Sequence, residues 1–526
     1  MELRPYQCEA IDAVLAARRR GLRRLLVCLP TGAGKTVIFS RFAQLAKRRV
    51  LVLAHREELL QQARQKLQQA LGGEQVVAIE RGAERGDERA KVLVCSIRSL
   101  HEERLAQLMR GRDLGLVIYD ECHHAAADDN LRVLRQLRAF EPNWSGTLLG
   151  FTATTSRGDG KGLDSVFERI VYSRSLPDLI EAGYLAPLRG FRVRTSADLT
   201  RISGGGQDFS EDELAEAVDI EERNALVARS IQELARDRRT IAFCVTVNHA
   251  RNLSRSLNAL GVPAGVGHGA MKPDVRAQAL ADFRAGRVHV LCNVAVLTEG
   301  FDDPGVSCVA MARPTRSEGL YAQCVGRGTR LAPDKKDCLI LDFVDASELS
   351  LCSLPSLFGA PHQLDLSGED AREARRVWQQ IVLEHPGFEL DASLTLPEIQ
   401  ERARAFDPLT LEVHHDVRAV SGNAWFSLGR HGLGLHFERR SGLTCEVTVL
   451  ARAARGKRWE VAIDGRAEER FSSIEAAVEA VDYEISRRGP RASASARADA
   501  PWRGERAEQL RLAVWQRVVA GRIGLA

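Results

Sequence analysis

The 526 residues are 44% hydrophobic and 27% charged, with a formal net charge of +4. A chain this long does not close around one hydrophobic core, and its composition is neither that of a disordered segment nor that of a fibrous protein. No apolar run approaches the roughly 18 residues that cross a bilayer, and the N-terminal MELRPYQCEA lacks the apolar stretch of a signal peptide, so a cytoplasmic protein without a membrane partner is expected.

In chain order, apolar runs recur at RLLVCLP, RVLVLAH, KVLVCS, LGLVIYDE and GTLLGFTAT, with amphipathic segments such as REELLQQARQKLQQAL between them. That alternation predicts a parallel sheet with crossover helices over residues 1–190. After GYLAPLRG and the Gly/Ser-rich RISGGGQDFS the pattern starts again at RTIAFCV, VHVLCN, VSCVAMARP and CLILDFVD, which predicts a second α/β domain over 191–350. A helical connector is expected over 351–409, and short strands ending in SSIEAAVEAVDYEISRR predict a small α+β domain over 410–488. The remainder, 489–526, reads as a flexible linker, RRGPRASASARADAP, followed by a basic helix from about Arg503 to Val519. From Arg487 onward nine Arg face three acidic residues.

The eleven cysteines are spread singly, several inside apolar runs, and no CxxC pair exists. Neither a disulfide framework nor a zinc ribbon is expected.

Directly after the first predicted strand comes PTGAGKT, residues 30–36. A loop of small residues, Thr31, Gly32, Ala33 and Gly34, lets backbone N–H groups turn toward phosphate oxygens, and a helix starting near Gly34 adds its positive end. Lys35 is then placed for the β and γ phosphates and the Thr36 hydroxyl for Mg²⁺. The strict phosphate-loop pattern has Gly where this chain has Leu29.

The stretch LVIYDECHH, residues 116–124, gathers two carboxylates, a thiol and two imidazoles. Beside a phosphate loop, an apolar strand ending in Asp120 suits a hard-oxygen ligand of Mg²⁺, with Glu121 orienting and deprotonating the attacking water. A zinc site is the other use of such residues, but adjacent side chains without a thiol pair make a poor tetrahedral set. His123 and His124 are therefore expected to couple rather than to bind metal.

These residues resemble the superfamily 2 helicases and translocases, DExH-type ATPases with two tandem RecA-like domains, over residues 3 to about 345. The resemblance implies that LRPYQCEA reads adenine, with the Gln7 amide on the base and Arg4 and Tyr6 packed nearby. It implies that AHREEL (His55, Arg56) and SIRSL (Ser96) touch the nucleic-acid backbone, and that FTAT (Thr152 to Thr154) couples hydrolysis to domain movement together with His123. In the second domain, LTEGFDDP supplies Thr298 for nucleic acid and Gly300 and Asp302 for nucleotide. QCVGRGTR supplies Gln323, Arg327 and Arg330, the two guanidiniums about one helical turn apart and facing ATP bound by the first domain.

The box Asp-Glu-Cys-His, with GFTAT, SRGDGKGL and LTEGFDDPGV, is similar to the branch holding the RadD-like and the mitochondrial Irc-type branched-DNA helicases. LPSLFGAP is similar to the Irc-type group. Thr155 stands where that family has Pro, and the zinc-binding cysteines of the RadD-like proteins are not apparent. The implied function is an ATP- and Mg²⁺-dependent DNA helicase or translocase, with DNA repair or recombination as the setting the resemblance suggests. An RNA helicase, the motor subunit of a restriction or defence complex, and a nucleotide-dependent binding module are the alternatives.

In the 410–488 region Trp425, Phe426, Phe437 and Trp459 accompany Arg439, Arg440, Arg452, Arg455, Lys457 and Arg458. Two readings stand: a surface that grips phosphate and stacks bases, or an ordinary small core with a basic rim.

Overall fold

A computed structural model describes residues 3–523 apart from 56, 73–75, 81–89, 110–113, 154–161, 200–201, 203, 206–207, 295–302, 345–350, 386–387, 389, 391, 405–412, 414, 429–430, 440, 442, 452–458 and 504. The chain divides into two units, Met1–Ala374 and Arg375–Ala526.

In the first unit, aliphatic runs form β1 (Arg24–Cys28), β2 (Arg49–Ala54), β3 (Val77–Glu80), β4 (Val92–Ser96), β5 (Leu114–Asp120), β6 (Thr147–Thr152) and β7 (Arg169–Ser173). They make one sheet in the order β3-β4-β2-β5-β6-β1-β7 with every pairing parallel. The accompanying helices are α1 (Pro5–Arg19), α2 (Lys35–Leu45), α3 (Glu57–Leu71), α4 (Glu102–Met109), α5 (Asp128–Gln136) and α6 (Leu176–Glu181). Crossover helices bury both sheet faces, so β4 is buried along its whole length and β5 nearly so.

A second parallel sheet repeats the plan. It contains β8 (Leu188–Arg194), β11 (Thr240–Phe243), β12 (Ala264–His268), β13 (Val290–Val294), β14 (Cys308–Met311) and β15 (Cys338–Val344), ordered β12-β13-β11-β14-β15-β8. Between its strands lie a two-stranded ribbon of β9 (Gly204–Gly205) and β10 (Asp208–Phe209), and α7 (Glu211–Val218), α8 (Glu221–Leu234), α9 (Val247–Ala259), α10 (Pro273–Arg284) and α11 (Glu318–Val325). After β15, α12 (Leu354–Leu357) packs Leu354 so close to Gly190 of β8 that a Cβ there would lie 2.8 Å from the leucine.

The other unit begins inside α13 (Ala371–Glu384) and continues with α14 (Leu396–Arg404) and α15 (His415–Val420). An antiparallel sheet follows, β16 (Phe426–Ser427), β17 (Gly432–Glu438), β18 (Thr444–Ala451), β19 (Trp459–Ile463) and β20 (Arg466–Phe471), each pairing with the next. Alternation along β17 sends Leu433, Leu435 and Phe437 into a core with Val447, Val449 and the inner face of α16 (Ile474–Arg487).

One segment departs from expectation. The stretch expected to be a flexible linker carries α17 (Pro490–Ala496), which packs on β17 with Ala492 and Ala496 buried. Its small side chains, which suggest a linker in the sequence, are what allow that close approach, and Pro490 sits at the favoured first position of the helix. The basic terminal helix α18 (Glu505–Ile523) is anchored by Val514 and Trp515, which join Phe426 and Leu428 in a second small core.

Five of the six tryptophans lie in the Arg375–Ala526 unit, so its unfolding is legible in fluorescence. Phe437→Ala removes a fully buried ring and is expected to destabilise that unit by about 3–5 kcal/mol in urea titrations followed by tryptophan emission. A shift below about 1 kcal/mol would show that the core assignment is wrong.

Candidate nucleotide site

Every strand of the first sheet ends on the same edge, and the residues of the phosphate loop and of the acidic strand end collect there. β1 runs into the loop 29–34, β5 ends at Asp120, and β6 ends at Thr152, in register with Cys28. Leu29 is fully buried and its N–H continues the ladder by donating to Thr152 O at 2.9 Å, which explains why the first position of the loop needs no glycine.

Glycine is needed further along the loop. Gly32 and Gly34 have φ of +86° and +72°, and a Cβ at Gly34 would lie 2.8 Å from Gln7 Nε2. Gly34 caps α2, which starts at Lys35. The loop is braced from α1: Tyr6 Oη donates to Ala33 O at 2.6 Å and Gln7 Nε2 to the same oxygen at 3.3 Å. The other end of the Gln7 amide accepts from Arg4 N at 3.0 Å. In this structure Gln7 thus serves the phosphate loop, and it is only 4% exposed. Arg4 donates to Tyr184 O at 3.0 Å, and the Tyr6 and Tyr184 rings lie 4.8 Å apart.

Facing the loop, Lys35 Nζ lies 2.7 Å from Glu121 Oε1. Glu121 Oε2 is 3.4 Å from His123 Nδ1, which is 3.4 Å from Thr152 Oγ1. Glu121 adopts φ +49°, uncommon for a residue with a side chain, and both Asp120 and Glu121 are 6% exposed. Burial alone would raise the Glu121 pKa, but the Lys35 charge and the His123 hydrogen bond outweigh it and hold the carboxyl well below the usual range. Burial pushes Lys35 down, and the charges of Glu121 and Asp120 more than reverse it, so its pKa is raised. Cys122 takes no part in this cluster. It is fully buried against Gly150, and among the described residues no group of three or more His, Cys, Asp and Glu is arranged to hold a metal. For Mg²⁺, the hydroxyl of Thr36 and the carboxylate of Asp120, which both line the cleft, are the hard oxygen donors that ion takes.

The cleft, about 550 Å³, is lined by Thr31, Gly32, Gly34, Lys35, Thr36, Asp120 and Glu121 from the first sheet's edge and by Arg284, Arg327 and Arg330 from the second domain. The two arginines are not a helical turn apart. α11 ends at Val325, and the chain turns through Gly326 to Arg330 with Gly328 N donating to Val325 O at 2.9 Å. The turn docks closely on the phosphate loop: a Cβ on Gly326 would lie 2.6 Å from Thr31 Cβ, and one on Gly32 3.1 Å from Thr329 Oγ1. Burial lowers the Arg330 pKa to about 10, so it still carries its charge at neutral pH. Gln323 is buried on α11 and does not reach the lining.

Two family models match this arrangement: one described as "Type III restriction enzyme, res subunit" over residues 1–157, and one described as "Helicase conserved C-terminal domain" over 222–332. The chain is 35% identical to the mitochondrial ATP-dependent helicase irc3 of Schizosaccharomyces pombe over 68% of its own length and 60% of that protein's. It is 31% identical to the ATP-dependent helicase IRC3 of Saccharomyces cerevisiae, over 70% of this chain and 55% of the other. The chain belongs to the superfamily 2 helicases. Within them it is most like the Irc3 branch, and it spans little more than half the length of these relatives. A fragment of an HsdR subunit of a type I restriction enzyme from Vibrio vulnificus shares the fold, with a TM-score of 0.52 at 24% identity, covering 68% of this chain and 66% of that one.

The remaining helicase residues fall in two groups. His55 and Ser96 stand at the ends of β2 and β4, on the same sheet edge. His55 turns toward the acidic strand, with Nε2 2.7 Å from Tyr119 Oη and 3.3 Å from Asn130 Nδ2, and its ring 4.8 Å from that of His124. Motif spacing gives no hint of Tyr119, Asn130 or Tyr184, because each acts through a contact made only in the fold. Arg56, Thr154, Thr298, Gly300 and Asp302 lie outside the described residues, as do Arg440, Arg452, Arg455, Lys457 and Arg458.

In the Arg375–Ala526 unit, Trp425, Phe426 and Phe437 are buried at 7%, 7% and 1% exposure. As folded they are core and offer no stacking surface to a base; Trp459 is half-buried.

Lys35→Ala would leave the Glu121 carboxylate buried without its cation. We expect a loss of about 3 kcal/mol in urea unfolding followed by circular dichroism, with Lys35→Ala/Glu121→Gln recovering much of it. The loss should be present at pH 7, because depression of the Glu121 pKa stabilises the fold above the usual carboxyl value of 4.5 and fades only as pH falls further. Equal stability of the single and double variants would mean that the pair is not a buried one.

Proposed function

We propose that the chain is a nucleic-acid-stimulated ATPase that moves on DNA, more readily than on RNA, and acts on duplex or branched DNA in repair or recombination. The observation that carries the motor reading is the meeting, in one cleft, of the Lys35–Glu121 pair with Arg327 and Arg330 from the other domain. The DNA reading rests on the resemblance of the Asp-Glu-Cys-His box and its neighbouring motifs to branched-DNA helicases.

The roles follow from position. The loop 31–34 takes the phosphates and Lys35 their charge. Thr36 and Asp120 would hold Mg²⁺, which neutralises charge on the β and γ phosphates. Glu121 orients and deprotonates the attacking water, and Arg327 and Arg330 meet the charge that develops on the transferred phosphoryl group. His123 and Thr152 carry the state of Glu121 to the end of β6. Eleven free cysteines, eight of them buried, suit a reducing compartment, which we take to be the cytoplasm. Among the described residues no helix is long and apolar enough to cross a membrane.

The test is the steady-state ATPase rate without nucleic acid and with single-stranded, duplex and forked DNA and single-stranded RNA, in one low-salt buffer. DNA should stimulate most, and the stimulation should fall steeply with salt because such motors hold backbone phosphate. Stimulation by RNA alone would keep the motor and overturn the substrate. Co-purification with a nuclease would favour the restriction-motor alternative, to which the family model over residues 1–157 also points.

Within the same assay Lys35→Ala should weaken ATP binding. Glu121→Gln should leave binding and lower turnover by about 10²-fold or more, and Arg330→Ala should lower it by roughly 10³-fold. Normal turnover in either of the last two would remove the site assignment.

A further inference from the structure

We propose that Lys335 is a positioning residue that fixes the loop carrying Arg327 and Arg330; this rests on the ATPase reading above. Lys335 lies beyond the Gln323–Arg330 motif, in the turn before β15, and belongs to none of the signature stretches. Its Nζ donates to Gly328 O at 2.5 Å, to Arg330 O at 2.9 Å and to Pro304 O at 3.4 Å. An ammonium has three N–H groups and no acceptor, and here all three are committed to backbone carbonyls.

The carbonyl between the two on the loop is also held: Thr329 O accepts from Ala186 N at 2.7 Å. Three successive carbonyls, those of Gly328, Thr329 and Arg330, are therefore pinned from outside the loop, two of them by one side chain. The third prong reaches Pro304, which ends the LTEGFDDP stretch. One cation thus ties the Arg327–Arg330 loop to Pro304.

Fixing these carbonyls matters because the loop has so little room. Gly326 and Thr329 already touch Thr31 and Gly32 of the phosphate loop, so a loop displaced by an ångström either collides with it or withdraws both guanidiniums from the cleft. Misplacement on that scale costs roughly 10²-fold in rate.

The placement is not explained by stability. Lys335 is pulled from water onto neutral carbonyls, and burial lowers its pKa despite the charges of Asp303 and Asp337 nearby. A neighbouring lysine, Lys336, stays exposed. A turn that needed only a solvated cation had one at the next position.

The test uses the full chain, with ATPase kinetics on the nucleic acid that stimulates the wild type most. Lys335→Met should lower kcat by about tenfold or more while KM for ATP and the affinity for ADP, which the first domain's loop holds, stay within about twofold. Lys335→Met/Arg330→Ala should be slower than Arg330→Ala alone by clearly less than the full Lys335→Met effect, because the lysine acts through that loop and only Arg327 is left for it to place. Lys335→Arg keeps the charge but not the compact three-pronged head, and should fall between wild type and Lys335→Met.

Unchanged kcat in Lys335→Met, or a double variant slower by the product of both effects, overturns the proposal. Loss of folding in both single variants does so too, by assigning Lys335 to stability. A wild type that does not turn over ATP overturns the ATPase reading, and the clamp with it, which is a different result from an active wild type indifferent to Lys335.

Discussion

A buried ion pair organises this protein. Lys35, to which the phosphates are assigned in the proposed function, and Glu121, to which the attacking water is assigned, are each other's partner at 2.7 Å. Neither charge could remain in so enclosed a position alone. Their mutual satisfaction lets the first sheet keep both at its edge without collapsing the site, and it explains the strained backbone at Glu121, whose φ of +49° aims the carboxylate back at the loop instead of along the strand.

The second constraint is that the arginines belong to a different sheet. Parallel sheets present their strand ends on one edge, and two such edges can share a ligand only if the loops between them fit at atomic distance. The glycines at 32 and 326 are where they fit: a side chain at either would strike Thr329 or Thr31. Close packing makes the docking nearly all-or-none, so the guanidiniums of Arg327 and Arg330 reach the cleft together or not at all. A motor needs that property, because hydrolysis tied to domain closure cannot proceed in the open state.

What could be read in the sequence was what depends on neighbours along the chain. The phosphate loop, the acidic strand end and the repeated strand-helix alternation are local, and the two parallel sheets and small C-terminal sheet follow from them. What depended on contacts between distant segments was misread or unseen. Arg327 and Arg330 have helical spacing, yet the helix stops at Val325 and the chain turns at Gly326, beside Thr31 of the phosphate loop. Gln7 has the chemistry to read a base, yet both ends of its amide are used on Arg4 and Ala33. Trp425, Phe426 and Phe437 are equally good core and equally good stacking platform until burial decides. The Ala/Ser stretch after Arg488 has linker composition and helical packing, since composition records flexibility but not the groove on β17 that small side chains fit.

The ion pair also bears on how idle turnover is restrained. A general base works best with a pKa near the working pH, and Glu121 beside Lys35 is far below it. A triphosphate that draws the ammonium onto its own oxygens removes the main influence depressing that pKa. Burial, which opposes the charge, then acts against a smaller stabilisation in which the His123 hydrogen bond remains. In the proposed cycle the carboxylate is thus a weak base while it is paired with Lys35, and a stronger one once the phosphates have taken the ammonium. His123 remains the contact through which β6, and whatever Thr152 responds to, can adjust that strength further.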